Sequence, residues 1–182
     1  MPISPQERST LITLARAAVD ASVRGSTLPV PRCEGILSRR LGCFVTLTNS
    51  GMLRGCIGTF QPEESLGRTL VQMATAAATQ DPRFTTRPIT PTELEQLQVE
   101  VSVLSELVET DKPERLEVGK HGIYIVNGPR AGCFLPEVAT DMGWSAQEFL
   151  DQCCCSKAGL PAGAWMSSQT KVYLFTSEKF SD

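Results

Sequence analysis

Apolar residues recur at helical spacing near the start of the chain. Ser4 and Glu7 have the spacing of a capping box, Pro5 occupies the first helical position, and Gly25 supplies a stop. The apolar face comprises Leu11, Leu14, Ala15, Ala18 and Val19. The pattern predicts a long amphipathic helix.

Prolines and capping boxes mark the other predicted helix starts. They lie at Pro62, at Thr90 and Glu93 with Pro91, at Pro136, and at Ser145 and Glu148. The Pro62 helix is predicted to end before Asp81 and to bury Leu66, Leu70, Met73, Ala74 and Ala77. The helix from Thr90 must be short, because a strand pattern follows it.

Polar and apolar residues alternate in the predicted strands. Val99, Val101 and Val103 alternate with Glu100 and Ser102, which is typical of a half-buried strand. Turn residues join segments 43–48 and 52–60, and likewise 123–126 and 132–135, into two hairpins, and a last strand covers 170–175. Interleaved helices and hairpins predict an α+β fold with antiparallel sheet, rather than a doubly wound fold.

Composition narrows the class of protein. The 182 residues carry 17 basic and 20 acidic side chains, and the net charge of -3 argues against a nucleic-acid backbone as the main partner. The sequence has seven cysteines and one histidine. It shows no secretory signal pattern and no apolar run long enough to span a membrane. Together these features predict a cytoplasmic protein whose cysteines are reduced.

One segment combines glycines, a thiol and a cation. Gly55 and Gly58 flank Cys56, and Arg54 precedes it by two residues, on the same face if the strand is regular. Glycines permit close approach of a backbone or ligand, and a cation favours thiolate over thiol. The segment therefore indicates either a reactive or ligand-touching thiol, or a buried cysteine in a tightly packed bend.

The remaining cysteines give no metal signal. Three cysteines are consecutive, at positions 153, 154 and 155. Neighbouring side chains on a helix point about 100° apart around the axis, so these three thiols cannot all bind one metal ion. The spacing of a radical-SAM cluster and the glycine-rich phosphate loops are both missing from the sequence. We expect no metal and no cofactor.

Several short motifs resemble the AMMECR-type domain family, whose bacterial and archaeal members are labelled AmmeMemoRadiSam system protein A. They are LRGCIGTF (53–60), DPRF (81–84), EVSVL (100–104), GKHGI (119–123), FLPEVA (134–139) and KAGL (157–160), together with Trp144, Phe149, Leu150 and Trp165. Their order and spacing cover nearly the whole chain.

The resemblance implies one AMMECR-type domain over residues 1–182. It implies two unequal subdomains, each an antiparallel sheet with packed helices, the larger containing both chain ends. It also implies a Memo-like protein and a radical-SAM protein as partners. No reaction is assigned to the family, and LRGCIG is described as its functional site.

Candidate roles follow for residues in and beyond that motif. Cys56 is the candidate nucleophile, with His121 and Glu100 as catalytic assistants. The candidates for substrate binding are Arg54, Gly55, Gly58, Thr59, Asp81 and Arg83. Some of these residues also have a purely structural interpretation. His121 could be a solvated imidazole in a turn, and Glu100 a solvent-facing carboxylate on an alternating strand. Asp81 could form a structural clamp with a neighbouring arginine.

Three functional hypotheses stay open at this point. The first is a thiol-dependent enzyme acting on a small anionic metabolite, which Arg54 or Arg83 would hold. The second is a non-catalytic module that docks the Memo-like and radical-SAM partners. The third, a nucleic-acid-associated regulator, is disfavoured by the net charge.

Overall fold

Two units make up the chain in the computed structural model, which describes residues 2–182. The first unit comprises residues 2–104 together with Glu178–Asp182, and the second comprises Ser105–Ser177. Both ends of the described chain therefore belong to the first unit. Helices and two antiparallel four-stranded sheets confirm the α+β prediction.

The first unit places two helices on one sheet. Its elements are α1 (Pro5–Arg24), β1 (Cys43–Asn49), β2 (Met52–Thr59), α2 (Leu66–Thr79), β3 (Leu97–Leu104) and β8 (Ser177–Ser181), and the strand order is β2-β1-β3-β8. The predicted capping box of Ser4 and Glu7 starts α1, and Gly25 ends it in the left-handed conformation. Both predictions are confirmed.

Alternating apolar and polar side chains along β1 and β3 give this sheet one apolar face and one polar face. Val45, Leu47, Val99 and Val101 are fully buried and pack in one cluster with the apolar residues of α1 and α2. Thr46, between Val45 and Leu47, therefore points to the opposite face. The core occupies the helix-covered face and leaves polar side chains on the other.

The second unit is a smaller sheet with short helices. Its elements are β4 (Val108–Glu109), β5 (Gly122–Asn127), β6 (Arg130–Phe134), α3 (Pro136–Met142), α4 (Ala146–Gln152), a π-helical segment (Cys153–Ala158) and β7 (Lys171–Phe175), with strand order β4-β7-β5-β6. The Ser145 capping box and the helix starting at Pro136 are confirmed. The core of the unit contains Ile123, Ile125 and Phe149.

Three predictions of element bounds are wrong. The helix expected from Pro62 begins only at Leu66, whose N–H donates to the Arg39 carbonyl. The Thr90 capping box does not form, and a turn leads into one 3₁₀ turn at Leu94–Gln96. Strand 170–175 is not the last, because β8 follows it. No helix among residues 2–182 is long and apolar enough to cross a membrane.

Candidate functional site

Cys56 lies in β2, one of the two edge strands of the first sheet, and the residue is half-buried. It pairs across the sheet with Thr46 of β1, and Thr46 pairs in turn with Glu100 of β3. The Thr46 hydroxyl donates to the Cys56 sulfur at 3.4 Å. The three side chains form a cross-strand row on the face away from the helices, because directly paired residues share a face.

Asp81 and Arg83 clamp the peptide groups of Cys56. Asp81 Oδ2 accepts the Cys56 N–H at 2.9 Å, and Arg83 Nη2 donates to the Cys56 carbonyl at 3.1 Å. The carboxylate also accepts both Nε of Arg83, at 2.9 Å, and Nη2, at 2.6 Å. The Asp81–Arg83 ion pair thereby supplies hydrogen-bond partners for the backbone N–H and C=O of Cys56, which face away from β1.

Electrostatics at the clamp favour the ionised pair. The Asp81 side chain is only 2% exposed, whereas that of Arg83 is 54% exposed. The Arg83 guanidinium, supported by the Cys56 and Arg83 backbone N–H groups, holds the pKa of Asp81 far below its usual value despite burial. The Asp81 carboxylate correspondingly raises the pKa of Arg83, and the Cys56 thiol adds to that effect.

Both glycines of the motif are required for close approach. A Cβ on Gly55 would lie 2.0 Å from the carbonyl oxygen of Ala77 in α2, and one on Gly58 would lie 2.3 Å from the Phe44 ring. Gly55 therefore lets α2 pack directly on β2, and Gly58 lets the ring lie across the strand. Their role is to bring neighbouring groups up to the strand that carries Cys56.

Arg54 is not arranged as a regular strand predicts. The register shifts between Leu47, paired with Gly55, and Thr48, paired with Leu53, so Arg54 is the extra residue of a β-bulge. Its Nε and Nη2 donate to the Glu93 carboxylate at 2.5 and 3.1 Å, and Nη2 also reaches the carbonyl of Arg87. Arg54 therefore anchors the segment after α2 to β2.

Phe84 connects the two arginines of the site. The guanidinium carbon of Arg54 lies 5.9 Å from the centre of the Phe84 ring, and that of Arg83 lies 5.5 Å from it. These distances are typical of cation–π contacts. The aromatic ring of the DPRF motif thus contacts both cations that border the Cys56 segment.

The other candidate residues have bonding partners of their own. His121 belongs to the second unit, where its Nδ1 accepts the Glu117 N–H at 2.9 Å. A neutral ring there carries its proton on Nε2. Glu100 is paired with Lys179 at 3.6 Å, and Thr59 pairs with Cys43 at the end of β2. Assistance of Cys56 by His121 remains a prediction.

The candidate site contains two groups that sequence analysis misses. Thr46 sits at an alternating polar position of a predicted strand, but its pairing with Cys56 depends on the hairpin register. Glu93 is read as part of a capping box, whereas its carboxylate binds Arg54. No cluster of three histidine, cysteine or acidic side chains suited to a metal occurs within residues 2–182.

The chain is similar to known protein sequences over nearly its whole length. A sequence model of the AMMECR1 family matches residues 12–180. A protein of Methanothermobacter thermautotrophicus is 41% identical, with 100% of this chain and 97% of the relative covered. Protein TK0174 of Thermococcus kodakarensis is 41% identical, with 94% and 88% covered.

A solved structure has the same fold. The uncharacterized protein PH0010 from Pyrococcus horikoshii superposes with a TM-score of 0.83 at 35% identity. The superposition covers 99% of this chain and 93% of that one. The similarity therefore extends over both units.

Proposed function

The chain belongs to the AMMECR1 family, and from this premise we propose that Cys56 is the reactive group of a thiol-dependent site for a small anionic molecule. Cys56 would act as nucleophile in the reducing cytoplasm, where all seven cysteines stay free, as they are in the structure. The Memo-like and radical-SAM proteins would supply or consume its substrate.

One observation carries this proposal: Arg83 has unused donors on a fixed guanidinium. Nε and Nη2 are engaged by Asp81 and the Cys56 carbonyl, but no acceptor within residues 2–182 binds Nη1. A guanidinium carries five N–H donors, so two remain for a ligand. Because Asp81 and the Cys56 carbonyl fix the guanidinium plane, these two donors are held in one orientation, in which they could bind a carboxylate or phosphate.

Paired alkylating reagents test this proposal. Iodoacetate and iodoacetamide differ in charge but form the same carbon–sulfur bond, so their rate ratio reports the local attraction for anions. We expect that ratio to be several-fold higher at Cys56 than at the exposed Cys33, and to fall in Arg83→Gln. The matched control is Arg68→Gln. Ala77 is the α2 residue that lies against Gly55, and Arg68 precedes it by nine residues, about 13 Å along the helix axis.

Salt provides a second measurement that needs no variant. Higher ionic strength should slow iodoacetate at Cys56 and leave iodoacetamide unchanged, because only the charged reagent is attracted through solvent. Equal rate ratios at Cys56 and Cys33, with no salt effect specific to Cys56, would rule the anion site out.

A docking function has a separate observation in its favour. Met52 and Leu53, at the start of β2, are 66% and 37% exposed; Leu53 is the first residue of the LRGCIGTF motif and Met52 immediately precedes it. Apolar side chains at a hairpin tip fit a protein partner better than a small anion. Under this alternative the β1–β2 hairpin would dock the Memo-like or the radical-SAM protein.

Charge substitution at the hairpin tip separates the two functions. Met52→Glu should abolish co-purification with either partner while leaving the alkylation ratio at Cys56 unchanged. Ser50→Glu, in the exposed turn of the same hairpin, is the control for added charge. Unchanged co-purification in Met52→Glu would eliminate docking through the hairpin.

A further inference from the structure

A small cavity lies at the end of α2, within the first unit. Its volume is about 80 Å³, and residues of α2, of the segment 81–89 and Arg54 of β2 line it. Ala77, Ala78 and Ile89 form a buried apolar wall. The Arg54 side chain is largely buried. A guanidinium with little access to solvent therefore borders an apolar cavity.

Asp81, the carboxylate of the cavity lining, has no acceptor left for a ligand. Its Oδ1 accepts the Arg83 backbone N–H at 3.1 Å and Nε at 2.9 Å, and its Oδ2 accepts Nη2 and the Cys56 N–H. A carboxylate has about four lone-pair sites, so all of them are occupied. Arg83 also balances the charge of Asp81. The described lining therefore offers no free carboxylate to a cation.

The unused polar groups of the cavity are donors on two guanidinium groups. Arg54 gives Nε and Nη2 to Glu93 and to the Arg87 carbonyl, while no acceptor within residues 2–182 binds its Nη1. The Arg87 guanidinium, which also lines the cavity, has no acceptor in that part of the chain either. The two threonine hydroxyls of the lining already donate to backbone carbonyls. A ligand that accepts hydrogen bonds therefore matches this set of groups.

The charges around the cavity leave one positive charge without a partner. Arg54 pairs with Glu93, and Asp81 pairs with Arg83. Arg87 forms no ion pair within residues 2–182. A ligand with a single negative charge would balance this set.

The apolar wall decides which anion fits. Carboxylate and phosphate both match the fork of a guanidinium. Phosphate carries only oxygens, so it would place polar atoms against Ala77, Ala78 and Ile89, and the Phe84 ring adds further apolar surface to the lining. A volume of about 80 Å³ holds roughly three water-sized groups of about 30 Å³ each, which limits the carbon chain to about two to four carbons.

We propose that this cavity binds a short-chain monocarboxylate. Arg87 and Nη1 of Arg54 donate to the carboxylate, and the carbon chain contacts the apolar wall. The site goes beyond the proposed function, because neither Cys56 nor Arg83 is among the described residues that line it. The inference concerns binding, and no covalent bond forms or breaks.

Titration of the ¹⁵N-labelled chain with propionate, followed by amide chemical shifts, measures this binding. Sodium chloride holds the ionic strength constant, so a general salt effect is the same at every point. The shifts should saturate in the millimolar range and be largest within residues 77–89. Propionamide has the same size without the charge, and it should bind at least about tenfold more weakly, as for lost hydrogen bonds to a charged group. Inorganic phosphate should also bind at least about tenfold more weakly, because it lacks the carbon chain.

Substitution of Arg87 tests the residue that carries the unpaired charge. Arg87→Gln changes an exposed side chain, and propionate should bind about tenfold more weakly to this variant. Arg115→Gln is the matched control, since Arg115 is an exposed arginine of the second unit with no acceptor within residues 2–182. Arg87→Lys keeps the charge and loses the fork, so we expect a smaller loss than in Arg87→Gln. The amide spectrum verifies that each variant folds.

The outcomes separate this inference from the proposed function. Shifts that do not saturate, equal affinities for propionate and propionamide, or equal affinities in Arg87→Gln and Arg115→Gln would overturn the carboxylate site. Phosphate binding as tight as that of propionate would overturn the choice of a carboxylate. The proposed function has a different measurement, the iodoacetate-to-iodoacetamide ratio at Cys56. A negative propionate result with a raised ratio leaves the thiol site standing, and the reverse result leaves only the cavity site.

Discussion

Replacing Asp81 by asparagine probes the clamp on the Cys56 peptide. The variant keeps one oxygen, which can still accept the Arg83 backbone N–H at the position of Oδ1. The other oxygen becomes an amide that donates, so it faces the Cys56 N–H and Arg83 Nη2 without accepting from either. The substitution removes charge and two accepted hydrogen bonds with little change of volume.

The expected loss of stability depends on whether water can replace Asp81 as the acceptor for Arg83 and for the Cys56 N–H. Arg83 is 54% exposed, so water replaces its lost partner at small cost. The Cys56 N–H lies part-buried against the side of β2 and loses its acceptor, which costs about 1–3 kcal/mol. We expect the free energy of unfolding to fall by about 2–3 kcal/mol, below the cost of breaking a fully buried pair.

Urea unfolding followed by far-ultraviolet circular dichroism measures this loss. The signal reports mainly the first unit, because α1 and α2 contain 20 and 14 residues, whereas α3 and α4 contain 7 each. With a slope of about 2 kcal/mol per molar, the midpoint should fall by about 1–1.5 M.

Glu64→Gln serves as the matched control for this measurement. Glu64 and Arg68 form an exposed pair, whose loss should change stability by no more than about 0.5 kcal/mol. A midpoint for Asp81→Asn equal to that of Glu64→Gln would refute the clamp.

The acid limb of the stability curve gives the same group a second signature. The pKa of Asp81 is lowered in the folded chain, mainly by the Arg83 guanidinium. A lowered folded pKa gives stability that is complete above the unfolded value of about 3.9 and is lost as the pH falls below it. The difference between the native protein and Asp81→Asn should therefore be constant above about pH 5 and shrink below about pH 4.

Three further perturbations address the surroundings of the site. Gly55→Ala should lower the free energy of unfolding by at least about 2 kcal/mol, since its Cβ would lie 2.0 Å from a carbonyl oxygen of α2; an unchanged thermal midpoint would contradict that packing. A double-mutant cycle of Arg54→Ala and Glu93→Ala should give a coupling of about 1–3 kcal/mol, because the pair is largely buried; additive effects would exclude it. An aromatic disulfide reagent should label Cys33 at once and Cys43 only after unfolding, because Cys43 is fully buried; prompt labelling of Cys43 would contradict the packing of β1.

The helix starts that the sequence predicts correctly are those decided locally. The Ser4 and Ser145 boxes close within three residues, so no distant group can change them. The two incorrect starts depend on tertiary partners. Leu66 begins α2 where its N–H meets the Arg39 carbonyl, and Glu93 gives its carboxylate to Arg54 rather than to a cap.

The candidate site is predictable in its parts and not in its assembly. The glycine-flanked thiol and the DPRF segment both stand out in the sequence, and the structure joins them through the Cys56 peptide. That join depends on which peptide groups of β2 turn away from β1, and this follows from the strand register. The bulge at Arg54 changes the same register, so the alternation expected between Arg54 and Cys56 fails.

The clamp on Cys56 has a consequence for how copies of the protein meet one another. An outer strand with free N–H and C=O groups invites another chain to extend the sheet, which leads to aggregation. At the middle of β2, Asp81 and Arg83 already occupy both groups of Cys56, and the cation stands in the path of an incoming strand. A substitution that removes the partners of the Cys56 N–H and C=O would therefore expose a strand edge that can pair with another chain, and it would also make the Cys56 side chain less fixed. We expect the same variants to show both poor solubility and altered Cys56 chemistry.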